Sequence, residues 1–275
     1  MNLSGVKGST LPRYHNGPIV EVAASVQFET IKNLDAAHLG YLWGKFRDAY
    51  PKTEQHQALP VRKERFGPPK PSAFEVRIGA SSATRVWFVK EDGTELIQVQ
   101  NNLLVFNWRK GQGNDYVGFN VIRQSLLEAC DTLANFILAE GLGELRINQC
   151  ELTYVNHLGF TNNRSSRRPL VEMFSCWNSP AGLPSMESPE EVNFQLQHVL
   201  TENDQSVGRL FVDLKSAYGN DGQMALYALN MIARGKPSDT GLPSAMAFLD
   251  RAHECLVRYF TDLTTPEMHL LWERN

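Results

Sequence analysis

The chain has 275 residues, 42% of them hydrophobic and 21% charged, which excludes a disordered or membrane-embedded polypeptide and allows one large domain or two ordinary ones. A formal charge of −3 excludes a global pull toward nucleic acid, while leaving room for a local basic face. The N-terminus lacks the apolar core of a signal peptide, and no apolar run is long enough to cross a bilayer. Cys130, Cys150, Cys176 and Cys255 show neither metal-ligand nor redox spacing, so the expectation is a cytosolic protein with four buried thiols and no membrane partner.

In chain order, residues 18–28 (PIVEVAASVQF) alternate and are rich in valine, which predicts a strand. Residues 34–49 follow as a helix, with Asn33 or Asp35 near its start and Tyr50-Pro51 after its end. Residues 52–72 read as a loop full of proline and charge. Strands are predicted at 73–78, 84–90, 95–100 and 103–109, with primed turns at Asp92-Gly93 and Asn101-Asn102. Residues 119–138 place Phe119, Ile122, Leu126, Ala129, Leu133 and Phe136 at helical spacing, and Gly141 terminates that helix.

The second half repeats this order. Residues 145–160 predict a strand, and 169–177 a short helix with Leu170, Val171, Phe174 and Trp177 on one side. After a loop rich in Ser and Pro at 178–189 come strands at 192–200, 208–217 and 223–232. A long helix at 243–263 carries the apolar stripe Ala245, Leu249, Ala252, Leu256, Tyr259 and Leu263. Thr265-Pro266-Glu267 supplies the cap, first-turn proline and early acid of a final short helix.

The expected fold is therefore α+β. Two tandem strand–helix–antiparallel meander–helix repeats, residues 1–143 and 144–275, pack as one unit with helices on one face of a curved antiparallel sheet. That order resembles the duplicated fold of the TATA-binding protein and the related helix-grip folds, and fold alone does not fix function.

Placing turns at Asp92-Gly93 and Asn101-Asn102 sets the register of the three-stranded ribbon: Trp87 opposite Gln98 opposite Val105, and Phe88 opposite Ile97 opposite Phe106. Alternation then gives one oily face (Val86, Phe88, Ile97, Val99, Leu104, Phe106, Trp108) for the helix at 119–138. The other face carries Arg85, Trp87, Val89, Gln98, Gln100, Val105, Asn107 and Arg109. Amides and guanidinium groups offer directed hydrogen bonds, and Trp87 adds a flat contact surface. Gln195, Arg209 and Phe211 extend this face into the second half.

Three segments, PIVEVAASVQFE at 18–29, LIQVQNNLLVFNWRK at 96–110 and FLDRAHECLVRYFTDLTTPEMHLLWER at 248–274, resemble a sporadically distributed prokaryotic family of uncharacterised proteins. The resemblance spans the whole chain and implies no activity. The family's patchy distribution implies an accessory gene, of the kind found on mobile elements or in defence and toxin–antitoxin systems.

Tests for chemistry are negative. There is no HExxH, Cys-x-x-Cys or serine nucleophile elbow, and no cofactor motif. His253, Glu254, Glu267 and His269 are the nearest approach to a ligand set, and helix-surface polarity explains them more simply. Basic clusters at 62–65 and 164–168 fall on two long loops, at equivalent places in the repeat, and would flank the polar face as a rim.

The resulting expectation is a non-enzymatic binding protein. It engages a macromolecule, foremost a protein, through Arg85, Trp87, Gln98, Gln100, Asn107, Arg109, Gln195, Arg209 and Phe211. Nucleic-acid binding by the same face with the loop arginines is the second reading. A small ligand in a cavity lined by Trp87 and Phe211 is the third, and a homo-oligomer is compatible with all three.

Overall fold

In the computed structural model, residues 10–67, 84–113, 115–159, 167–177, 190–219 and 224–275 are described. The strand expected at 73–78, the loop at 178–189 and Arg164 lie outside them. The elements in chain order are β1 (Ile19–Phe28), α1 (Ala36–Trp43), β2 (Lys52–Gln57), β3 (Thr84–Val89), β4 (Glu95–Gln100), β5 (Leu103–Arg109) and α2 (Phe119–Ala139). They continue as β6 (Ile147–Leu158), α3 (Leu170–Met173), β7 (Asn193–Glu202), β8 (Gln205–Tyr218), β9 (Ala225–Gly235), α4 (Leu242–Leu263) and α5 (Pro266–Leu271).

The nine strands form one sheet in the order β2-β3-β4-β5-β1-β6-β9-β8-β7. Every pairing is antiparallel, so the protein is mixed α+β. The ribbon register is the expected one: Trp87 faces Gln98, which faces Val105, and Phe88 faces Ile97, which faces Phe106. Its oily side is buried, with Phe88, Val99 and Leu104 at 0% exposure. Helices cover this side: α2 packs on β5 and β1, α4 on β6 and β9, and the two helices touch each other. Full burial of side chains such as Phe28, Phe106 and Trp108 contributes about 2–3 kcal/mol each.

Turn chemistry departs from the expectation. Between β3 and β4 only Gly93 has positive φ (+72°), and Asp92 accepts from the Thr94 amide, so this is a wider turn centred on the same two residues. That shared centre preserves the register. Asn101-Asn102 turns without positive φ, whereas the unforeseen pair Asn203-Asp204 (φ 48° and 60°) joins β7 to β8 in the left-handed region that Asn and Asp tolerate.

Four further expectations are corrected. The helix expected at 34–49 ends at Trp43, after which the Gly44, Lys45 and Phe46 amides bond three residues back and the chain continues as turns. Residues 52–57, read as loop, form β2, an edge strand that pairs along β3 and is solvent-facing over most of its length, so no oily alternation marks it. The helix expected at 169–177 ends at Met173, where Phe174 turns extended (φ −121°, ψ 121°) and bridges to Thr264. Cys130, Cys150 and Cys255 are buried, but Cys176 is exposed.

Two glycines set the spacing of the second half. Gly208 and Gly235 face each other across β8 and β9. A Cβ on Gly235 would stand 2.7 Å from the Phe248 ring, so the absent side chain lets α4 settle directly on the sheet. The segment before β1 docks on the residues that follow α5: the His15 and Asn16 amides donate to the Glu273 and Trp272 carbonyls.

Candidate functional site

The polar side of the sheet is not open. The segment that leaves β2, residues 58–67, crosses it as a strap. Its Leu59 is held by Gln100 of β4 through two bonds: the Leu59 amide donates to Oε1 at 2.9 Å, and Nε2 donates to the Leu59 carbonyl at 3.0 Å. Further along, the Arg62 amide donates to Oε1 of Gln27 in β1 at 3.0 Å. Its far end reaches β8 and β9, where Glu64, with its side chain only 8% exposed, pairs with Arg209 and accepts from Arg234 at 3.1 Å. Arg234 also pairs with Glu151, and Arg209 lies over the Phe66 ring at 4.6 Å.

Under this strap the predicted amides satisfy one another. Arg85 donates to Gln98 (2.8 Å), Gln98 to Asn107 (2.7 Å) and Asn107 to Glu21 (2.7 Å), whose carboxylate also faces Arg109 at 3.6 Å. Pleating explains the route. Gln98 lies opposite Val105 and Leu96 opposite Asn107, so the relay steps to the diagonal neighbour on the same face. The expectation that Gln98, Gln100 and Asn107 stand on an accessible face is corrected: they are 7%, 2% and 3% exposed. Strict alternation placed them on the right side, but periodicity carries no information about a covering segment contributed from elsewhere in the chain.

Trp87 sits at the near margin of the strap. His56 of β2 stacks on its ring at 4.0 Å, and the guanidinium groups of Arg85 and Arg109 lie 5.4 and 5.3 Å from its centre. Phe211 lies at the far margin under Arg234, 5.0 Å away. Gln195 is exposed on β7 and bonded to Asp213 at 3.2 Å, which makes it the diagonal cross-strand neighbour of Phe211. Arg62 and Lys63 ride on the strap across the face, not on a flanking rim. Arg167, from the other basic cluster, donates to the carbonyls of Leu226, Glu190 and Ala217, which is a structural role.

Between strap and sheet lies a chamber of about 180 Å³. Leu59, Pro60 and Arg62 roof it, and Gln98, Asn107 and Gln149 are among its floor residues. Arg85, Glu151 and Arg234 line it as well, whereas Trp87 and Phe211, the expected walls of a cavity, do not. Glu151 is committed to Arg234, while among the described residues Arg62 and Arg85 have no carboxylate partner. Burial lowers the Arg85 pKa from its ordinary value. Gln149 is 5% exposed, and its Nε2 has no hydrogen-bond partner; Arg85 Nε and Trp87 Nε1 are likewise buried and unpartnered. An unpaired buried donor costs about 1–3 kcal/mol, so three on one sheet face are unusual.

Sequence reasoning missed Glu64, Gln149, Glu151 and Arg234. Gln149, Glu151 and Arg234 sit at alternating positions in strands and were readable as members of the polar face. Glu64 was not, because its partners lie 145 and 170 residues away.

The polar helix residues form no ligand set. His253 bonds to Tyr154, Glu254 to Arg258, and His269 to Thr264 and Arg274. Among the described residues no group of three His, Cys, Asp or Glu side chains could hold a metal ion, and no helix is long and apolar enough to cross a membrane. The chain matches no family model, no curated protein and no solved structure.

Proposed function

We propose that this is a non-catalytic binding protein whose strapped sheet face holds a small anionic ligand, of about one ring, in the chamber between strap and sheet. One observation carries the reading. Arg85 and Gln149, each with a buried nitrogen that lacks an acceptor, line the same small chamber. Its volume of about 180 Å³ is on the scale of cavities that accept a benzene-sized guest. The charges of Arg62 and Arg85, which pair with no carboxylate among the described residues, favour an anion, and the amides of Gln98, Asn107 and Gln149 favour a ligand rich in hydrogen-bonding atoms.

A protein or nucleic acid reading Gln98, Gln100 and Asn107 would first have to lift the strap. That would break the Gln100 and Gln27 bonds to its backbone together with the Glu64 pairs. A small ligand needs no such rearrangement. A cytoplasmic location and an accessory or defence context belong to the same proposal, as do the internal duplication and the resemblance to the TATA-binding-protein fold. The strand order supports the duplication: β1 lies beside β5, and β6 lies beside β9, so the opening strand of each half pairs with the last strand of its own meander.

The test is mass spectrometry of small molecules released on denaturation, with calorimetric titration of benzoate into wild type, Arg85→Met and Gln149→Met. Expected are a released or titratable small anion and at least tenfold weaker binding in both variants, with their circular dichroism unchanged. The reading fails if no small anion binds and the intact protein instead captures nucleic acid with an affinity that falls steeply with salt.

A further inference from the structure

The opposite, helix-covered side of the sheet carries a second and larger concavity. A cleft of about 660 Å³ opens between the N-terminal segment, the start of α2 and the middle of α4. That size lies within the range of small-molecule sites. Its walls are largely aromatic and apolar, including Tyr14, Tyr116, Phe119, Val257 and Phe260. Tyr14 is fixed edge-on against Phe260 at 5.5 Å, and its hydroxyl is 2.8 Å from that of Thr261. The Tyr116 ring is held against Trp108 at 5.3 Å. The walls are therefore preformed by the fold.

Polar groups are few and specific. Phe119 stacks on the His253 imidazole at 4.2 Å and 13°, and His253 Nδ1 lies 2.6 Å from the Tyr154 hydroxyl. Burial pulls the His253 pKa down to about 4, so this imidazole is neutral near neutral pH. The Tyr116 hydroxyl is buried beside that of Tyr154 without a close hydrogen bond, and burial pushes its pKa up to about 12, so it stays protonated. Among the described residues no Asp or Glu lines the cleft. Arg13 lines it, is exposed, and pairs with no carboxylate among the described residues. Apolar walls, a neutral polar interior, a protonated hydroxyl and the Arg13 guanidinium together select for a flat apolar body bearing one negative charge.

We propose that this cleft is a binding site for a mono-anionic aromatic molecule of about two rings, packed against Tyr14, Phe119 and Phe260 and recognised by the Tyr116 hydroxyl and Arg13. The site lies on the far side of the sheet from the strapped chamber and does not depend on it. Tight packing of an arene on preformed aromatic walls supplies affinity, while the hydroxyl and the guanidinium supply selectivity.

The probe is 1-anilinonaphthalene-8-sulfonate, titrated into the folded protein by fluorescence, with amide shift mapping to locate it. Expected is saturable one-to-one binding with shifts at Tyr116, Phe119 and His253. Tyr116→Phe should weaken binding five- to tenfold. Arg13→Gln should weaken it about fivefold while leaving the neutral N-phenyl-1-naphthylamine unaffected. Asn120 lines the cleft and is exposed in the first turn of α2, so Asn120→Trp should block binding without unfolding the protein. Non-saturable fluorescence, shifts confined to the strap and Arg85, or unchanged affinity in all three variants overturns the proposal.

Discussion

Glu64 of the strap and Arg209 of β8, 145 residues apart in sequence, form an ion pair over the sheet, and the second Glu64 oxygen accepts from Arg234. This carboxylate joins the segment following β2 to two strands of the other half of the chain. Its burial makes the pair sensitive to loss of one partner, because the remaining charge is left without compensation.

Glu64→Gln should therefore lower unfolding stability by about 3 kcal/mol, since Arg209 loses its carboxylate while Arg234 keeps Glu151. Urea unfolding measures it. A loss below about 0.5 kcal/mol, the level of an exposed pair, would show that the clasp is not closed in solution.

Gln100 secures the opposite end of the strap by bonding both backbone groups of Leu59 and the side chain of Asn102. Gln100→Leu keeps the volume and removes all three bonds, for a cost of about 2–3 kcal/mol. Hydrogen exchange should accelerate at the Leu59 and Arg62 amides and stay unchanged through α2. Uniform acceleration across the molecule would assign Gln100 to global stability and not to the strap.

Acid should destabilise the fold through His253. Burial holds its folded pKa at about 4 against an ordinary value of 6.5, so unfolding takes up a proton between those two pH values. Stability is therefore full above pH 6.5 and declines as pH falls toward 4, by about 3 kcal/mol in total. Burial shifts His157 and His269 in the same direction, and they add to the slope. Denaturant melts at several pH values should show a shallower slope for His253→Gln than for wild type; an equal slope would place the titration elsewhere.

Gly235→Ala tests how closely α4 rides on the sheet. The added methyl meets the Phe248 ring at 2.7 Å and the Val207 carbonyl oxygen, neither of which can withdraw without moving an element. Overpacking of this kind costs about 1–3 kcal/mol, and the backbone contact puts the expected value at the upper end. Thermal denaturation should register a clear fall in Tm. A neutral outcome would mean that helix and sheet sit further apart than described.

Legibility in the sequence tracked the range of the interactions that fix each feature. Alternation from Thr84 to Arg109 was enough to sort the ribbon into its two faces and to set its register, because period and pairing are local. The two long helices read cleanly and Asp35 and Thr265 cap α1 and α5, but α1 and α3 stop at Trp43 and Met173, short of the expected 49 and 177. β2 escaped because KTEQHQ is solvent-facing over most of its length and pairs with a strand distant in sequence, Gln57 facing Thr84 and Lys52 facing Val89. The strap escaped for the stronger reason that it is held by single polar contacts to distant strands, which leave no periodic trace. Alternation therefore sorted the ribbon residues onto the correct side of the sheet, but it missed Gln149, Glu151 and Arg234 on the same face, and the cover could not be read.

One consequence of the central β1–β6 pairing falls on biosynthesis. β1 leaves the ribosome long before β6, so one of its two hydrogen-bonding flanks waits for a strand that begins at Ile147. Until that strand emerges, the nascent chain presents a ten-residue, apolar-backed edge to its surroundings. Slowing translation between residues 110 and 147 would prolong that exposure and favour chain–chain association over the native sheet.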